Sequence, residues 1–169
     1  MTCLCGKEAL LTLADKVWCR SCFIDQFERR VKKVLREKPF QRGERVFVTG
    51  NVAAFVIKRI INMPLELVFA ERTIEGEKAV VEWTLDDECV DFLERMSTDG
   101  QFKHDNQLKL FLHLRDSEVA AYAEMYGITF TPRKKNPLWT TFLSQCEPDM
   151  MYNLLRNAEE LREMGGRLK

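Results

Sequence analysis

The sequence predicts an α/β fold: a small cysteine-built module at the N-terminus, then a larger domain around a mostly parallel β-sheet. Three observations carry that expectation. Four of the six cysteines fall within the first 22 residues. A strand, a glycine turn and a helix follow one another over ERVFVTGNVAAFVIKRII, the opening half of a βαβ unit. A second strand, helix and strand run over LKLFLHLRDSEVAAYAEMYGITFT. At 169 residues, 46% of them hydrophobic, the chain can bury a core as one domain with a small appendage. The expected division is residues 1–26 as the cysteine module, 27–42 as a basic helix and linker, and 43–169 as a Rossmann-like α/β domain.

The cysteines sort by position. Cys3 and Cys5 form C-x-C; after a gap of 13 residues, Cys19 and Cys22 form C-x-x-C. Each pair offers two thiolates from one tight turn, and four thiolates satisfy the tetrahedral preference of zinc, with Zn–S of about 2.3 Å. The segment KEALLTLADKVW between them reads as a short hairpin with Asp15-Lys16 at its turn. The module is then a zinc ribbon or knuckle holding one structural ion in a closed site. Two other readings compete: four unrelated thiols, or a redox pair at Cys19 and Cys22, which leaves Cys3 and Cys5 unexplained. Cys89 and Cys146 stand alone and read as small buried hydrophobes. The N-terminus MTCLCGKEALL lacks the apolar core of a signal peptide, and no apolar run reaches the ~20 residues of a membrane span. A cytoplasmic chain is expected, in a reducing compartment where cysteines act as ligands and not as disulfides.

Directly after Cys22, FIDQFERRVKKVLREK has Phe23, Phe27, Val31, Val34 and Leu35 at helical spacing, with Pro39 ending the helix. Arg29, Arg30, Lys32, Lys33 and Arg36 fall on the other face. From Glu28 to Arg45 there are eight Lys/Arg against three Glu, a net of +5, in a chain whose formal net charge is zero. A solvated helix face accounts for such a run. So does a surface for the phosphate backbone of a nucleic acid, its orientation fixed by the cysteine module.

The linker KPFQRG leads to a buried strand at Val46–Val48, a tight turn at Gly50 and a helix over Val52–Ile61. LELVFAERT and KAVVEWTL read as two strands, with Glu75-Gly76-Glu77 as the turn between them, that of a hairpin in one reading. DDECVDFLERM is a short helix capped by Asp86 or Asp87, and STDGQFKHDNQ is a polar loop. LKLFLHL is a strand, Asp116 or Ser117 caps a helix from Glu118 to Tyr126, Gly127 closes it, and ITFT is a further strand. Arg133, Lys134 and Lys135 form a second small basic cluster. The tail from Pro137 to Met164 is mostly helical.

Catalytic chemistry is sparse. The turn TGNVAAF sits where a doubly wound sheet binds phosphates, yet it has one glycine and no lysine. His104 and His113 stand apart, and His113 lies in an apolar strand, where a core role suits it better than catalysis. No sequence neighbour marks Cys89 as an activated nucleophile.

The order of these features resembles the cytoplasmic tRNA 2-thiolation proteins of the PP-loop ATP-pyrophosphatase superfamily. CLCG…CRSCFIDQFERRVKKVLRE is similar to the family's zinc module and basic helix. HLRDSEVAAYAEMYGI is similar to a strand-to-helix segment of Pro-Leu-Arg type, and YNLLRNAEEL to a late helix with a Leu-Leu-Arg core. The resemblance implies a PP-loop-type α/β domain. The departures imply a degenerate one. Active members carry Ser-Gly-Gly-x-Asp-Ser where this chain has Thr49-Gly50-Asn51-Val52-Ala53-Ala54-Phe55. They also carry a C-x-x-C pair and a third cysteine for an iron–sulfur cluster or sulfur relay, which Cys89 and Cys146 do not reproduce. The resemblance therefore implies a shortened non-catalytic subunit with no catalytic and no cofactor-binding residue of its own. It would bind tRNA through Arg29, Arg30, Lys32, Lys33 and Arg36 and support a catalytic tRNA thiolation partner in a hetero-oligomer, away from membranes. Two alternatives remain open: an active tRNA sulfurtransferase with an atypical nucleotide loop, using Cys89 or Cys146, and an unrelated zinc-ribbon protein that binds nucleic acid.

Overall fold

A computed structural model describes residues 1–13, 16–70, 78–98 and 107–167. Strands β1 (Leu11–Leu13) and β2 (Lys16–Trp18) pair antiparallel, Leu11 opposite Trp18, so the expected hairpin forms; Asp15 of its turn lies outside the described residues. Helix α1 (Arg20–Glu37) follows at once. Its buried residues are Phe23, Phe27, Val31, Val34 and Leu35, the set that helical periodicity selects. Phe27 stacks on Tyr122 with ring centroids 3.9 Å apart and touches Phe111, which fixes α1 against the sheet and against a later helix.

The main sheet contains β3 (Arg45–Thr49), β4 (Glu66–Phe69), β5 (Ala79–Thr84) and β6 (Leu108–Phe111), in the order β4-β3-β5-β6 with every pair parallel. Helix α2 (Asn51–Ile60) joins β3 to β4, and α3 (Leu85–Ser97) lies between β5 and β6. Val46, Phe47 and Val48 are consecutive and all buried, as expected of a central parallel strand covered on both faces. After β6 come α4 (Asp116–Met125), α5 (Pro137–Ser144) and α6 (Pro148–Arg167), the last two forming the helical tail. The main core joins α1, α2, α4 and the sheet, while Leu143, Met151 and Leu155 of the tail pack on Leu85, Cys89 and Val90 of α3.

Three local expectations are corrected. β4 and β5 do not form a hairpin. They flank β3, both parallel to it, because the apolar β3 needs a partner on each edge; the residues of the expected turn, Glu75-Gly76-Glu77, lie outside the described set, as does most of the loop with His104. ITFT forms no strand. The Ile128 N–H donates to Ala123 O at 2.9 Å, Pro132 has no N–H to give, and Ile128 and Phe130 reach the core without a ladder. Strand β6 stops at Phe111, since Leu114 N–H turns back to Phe111 O at 2.8 Å, so His113 sits in a turn and not in a strand.

The helix caps also differ. Thr84 caps α3, accepting from the Asp87 N–H while the Asp87 carboxylate accepts from the Thr84 N–H, a reciprocal capping box. Arg115 is the N-cap of α4, where the Glu118 carboxylate accepts from its N–H. Gly127 closes α4 as expected, at φ 66°, with its own N–H on Glu124 O and that of Ile128 on Ala123 O.

The chain runs from β3 to β4 on one side, then returns to place β5 on the other side of β3. The carboxyl ends of β3 and β5 are therefore the topological switch point, where open α/β sheets form their ligand crevice.

Candidate functional site

The cysteine centre is assembled by two turns brought together by the hairpin. At the first, Cys3 N–H donates to Lys7 O at 2.9 Å and Gly6 N–H to Cys3 O at 2.8 Å; Gly6 adopts φ 83°, open to glycine at no steric cost. At the second, Cys19 is the N-cap of α1 and Cys22 lies in its first turn. All four sulfurs lie within 4.8 Å of one another, and Cys5 Sγ is 3.5 Å from Cys19 Sγ. For tetrahedral Zn–S bonds of about 2.3 Å the sulfur–sulfur edge is ~3.8 Å, so the donor set fits one metal ion. Cys3 and Cys19 are buried, Cys22 is half-buried and Cys5 is exposed. The Ser21 hydroxyl and the Cys22 backbone N–H pull the Cys19 thiol down to about 6, whereas its neighbours Cys5, Cys19 and Cys3 push Cys22 up to about 12. Crowded sulfurs share out protons in this way; a cation removes the need to.

The basic residues of α1 divide. Arg29, Lys32, Lys33 and Arg36 are exposed, at i, i+3, i+4 and i+7, and so form one stripe. Arg30 lies off that stripe, half-buried, with Nη1 2.7 Å from Glu118 Oε1 at the start of α4. Glu28, on the same helix, is engaged inside the fold: it accepts from Arg59 Nε at 2.6 Å and from the Tyr122 hydroxyl at 3.2 Å. Its other oxygen lies 4.0 Å from Lys32 Nζ, so Glu28 offsets part of the charge of Lys32 and leaves that of Arg29, Lys33 and Arg36. His113 lies in a groove between α1 and α6 with Arg30, Lys33, Tyr152 and Arg156. Burial, then the Lys33 cation, holds its imidazole below the ordinary value.

At the switch point, Val52, Ala53 and Ala54 are buried and Phe55 packs on Tyr126 with centroids 4.9 Å apart, so of the first turn of α2 only Asn51 faces solvent. Gly50 adopts φ 107° and precedes α2. A residue absent from the sequence reading completes this pole: Glu82, near the end of β5. Its Oε1 accepts from Ala53 N–H at 2.8 Å. Its carboxylate lies so close over Gly50 that a Cβ there would be 2.0 Å from Glu82 Cδ. Burial pushes the Glu82 carboxyl up, and the Ala53 and Val52 amides partly offset that.

Other conspicuous residues serve structure. Cys89 is fully buried beneath α6 with Sγ 3.5 Å from Met151 O, and burial pushes its thiol up to about 12, which suits an inert core cysteine. Cys146 is half-buried, with Sγ 3.3 Å from Phe142 O. The second basic cluster does not act as one patch. Lys135 turns inward between Asp87 and Asp116, 2.8 and 2.7 Å away, while Arg133 stacks over the Trp83 ring at 4.6 Å and Lys134 is exposed.

No helix among the described residues is long and apolar enough to cross a membrane. Neither a family model nor a curated protein matches the sequence. The fold, however, is similar to a solved structure, the U34-tRNA thiolase NcsA from Methanococcus maripaludis with its 4Fe–4S cluster. The TM-score is 0.73 at 17% sequence identity, over 96% of this chain and 87% of that one. At that identity the likeness is one of fold alone; this chain is an α/β domain with a four-stranded parallel sheet and an N-terminal cysteine cluster that can hold a metal ion.

Proposed function

We propose that this chain is the non-catalytic subunit of a cytoplasmic complex that 2-thiolates the wobble uridine of tRNA. In this reading it binds tRNA and supports a catalytic PP-loop partner, as one half of a heterodimer. The observation that carries the reading is the buried apolar run Val52–Ala54, directly after the exposed Asn51 that opens α2, on a fold like that of a U34-tRNA thiolase. Adenylation of a carbonyl oxygen needs ATP held by exposed N–H groups and magnesium, with charge on the leaving pyrophosphate stabilised. Val52, Ala53, Ala54 and Phe55 bring no side-chain donor and no metal ligand to that place. Neither Cys89 nor Cys146 lies in a setting that activates a thiol for sulfur transfer. The domain would persist because the paired surface needs the fold.

Zinc is the metal that suits Cys3, Cys5, Cys19 and Cys22. Sulfurs within 4.8 Å of one another enclose a single ion, whereas a four-iron cube holds its thiolates further apart. The ion would be structural, tying the C-x-C turn to the start of α1 and so fixing the direction of the basic stripe. Arg29, Lys32, Lys33 and Arg36 would then meet tRNA phosphates. Arg30 would contribute less, because Glu118 already holds it.

The test is reconstitution with ATP, magnesium, a sulfur donor and tRNA, with and without a catalytic relative from the same cell. The expected result is no 2-thiouridine from this chain alone and a stimulated yield from the pair. Thiolated uridine produced by this chain alone would refute the reading. Failure of the two proteins to associate would favour a zinc-ribbon protein that binds nucleic acid outside thiolation.

A further inference from the structure

We infer that Glu82 is the residue that closes the α2 pole to phosphate, by supplying from within the chain the anion that a nucleotide would otherwise bring. The inference rests on the reading of the chain as non-catalytic, and it names the side chain that enforces it.

The argument begins with register. β3 and β5 are adjacent and parallel, with Val48 opposite Val80 and Thr49 opposite Val81. The next step along each strand brings Gly50 beside Glu82. At Gly50 the chain leaves the sheet with φ 107° and enters α2, whose first N–H groups have no partner inside the helix. In a doubly wound sheet those N–H groups and the helix dipole attract a ligand's phosphate. Here Glu82 Oε1 accepts from the Ala53 N–H at 2.8 Å.

The seat is close as well as polar. A Cβ at position 50 would lie 2.0 Å from Glu82 Cδ and 2.3 Å from each carboxylate oxygen, so the carboxylate occupies the space that the missing side chain leaves open. An anion from solution would meet a negative charge and an occupied donor together. The surroundings agree: Val52, Ala53 and Ala54 are buried, so the turn cannot swing its amides elsewhere without exposing core. Glu82 thus acts as a specificity-determining residue through exclusion.

The experiment uses the full chain and magnesium pyrophosphate as the probe, read by isothermal titration calorimetry. Wild type should show no saturable binding up to millimolar concentrations. Glu82→Gly, which vacates the seat, should bind pyrophosphate at least tenfold more tightly than wild type. Glu82→Gln, which keeps the bulk and an acceptor oxygen but loses the charge, should fall between wild type and Glu82→Gly. The proposal is overturned if wild type binds as tightly as Glu82→Gly, or if a folded Glu82→Gly variant gains nothing. Should Glu82→Gly fail to fold, NMR on wild type decides. The Ala53 amide resonance should titrate with a carboxyl whose midpoint lies above the ordinary glutamate value, and should lose that titration in Glu82→Gln. A flat Ala53 resonance through acid pH overturns the contact itself. No tRNA and no partner enters these measurements, so their failure leaves the thiouridine reconstitution to judge the subunit reading separately.

Discussion

The cysteine module and the α2 pole are built on opposite plans. In the module, the chain gathers four sulfurs within 4.8 Å of one another, with the Ser21 hydroxyl 3.3 Å from Cys19 Sγ. In the pole, the chain gathers helix N–H groups and then answers them itself with the Glu82 carboxylate. Crowded thiolates repel until a cation neutralises them, so the first arrangement is one that an ion from outside could complete. A helix N-terminus with a carboxylate on it is complete already. The difference teaches how to read a site on a shared fold: the question is less which ligand-binding residues are present than whether the chain has left their partners to be supplied from elsewhere.

The largest effect should come from breaking the open site. Replacing Cys19 and Cys22 together by Ser removes half the ligand set, both at the start of α1. Structural zinc contributes apparent free energies on the order of 10 kcal/mol to small modules, so the 1–22 segment should unfold locally. Wild type should carry about one zinc per chain, and the double variant less than a tenth of that, by elemental analysis. Amide exchange should accelerate across β1 and β2 while the main sheet, which has its own core, stays protected. Full metal content in the double variant would sink the zinc assignment.

A smaller effect should follow from disturbing the closed site. Gly50→Ala places a Cβ in a left-handed conformation and onto the Glu82 carboxylate. Strain of this kind costs about 3 kcal/mol, which lowers Tm by roughly 10 °C in a chain of this size. The double variant Gly50→Ala/Glu82→Ala should recover part of that loss, because the steric share disappears and the φ share remains. Additive losses from the two substitutions would mean that the carboxylate and Gly50 do not share one space.

The two plans were not equally legible in the sequence. Spacing alone identifies the module, since C-x-C and C-x-x-C each deliver two sulfurs from one turn and the hairpin between them brings the turns together. The buried face of α1 was equally plain, because five apolar residues at helical intervals leave one way to pack. Glu82 was invisible. It is a single acid in the apolar run VVEWT, and its meaning depends on β5 lying beside β3 in a register that brings it to Gly50, which local sequence does not encode. The same blindness to pairing made β4 and β5 read as a possible hairpin and ITFT as a strand. The α3 cap escaped because Thr84 closes both the strand and the capping box, so the acids after it looked like the cap themselves.

The basic face of α1 repeats the contrast within one helix, and it yields the subtlest prediction. Arg29 and Lys33 point to solvent at adjacent turns, while Arg30 between them holds Glu118 at 2.7 Å. Reversing Arg29 and Lys33 to Glu leaves no buried group unpaired, so stability should change by less than about 0.5 kcal/mol. If the stripe meets tRNA, each lost phosphate contact should lower the salt slope of binding by about one, so the double reversal should flatten it by roughly two. Arg30→Glu should behave differently. It sets two carboxylates against each other at the start of α4, which should lower Tm while changing the salt slope by less than either outward reversal. The measurement is tRNA affinity across a salt series for the complex and for the chain alone, beside thermal unfolding of each variant. An unchanged slope in the Arg29/Lys33 variant would reduce the stripe to a solvated face. A slope that falls only with Arg30→Glu would mean that the RNA surface runs along the α1–α4 edge, with Glu118 yielding Arg30 to a phosphate when tRNA arrives.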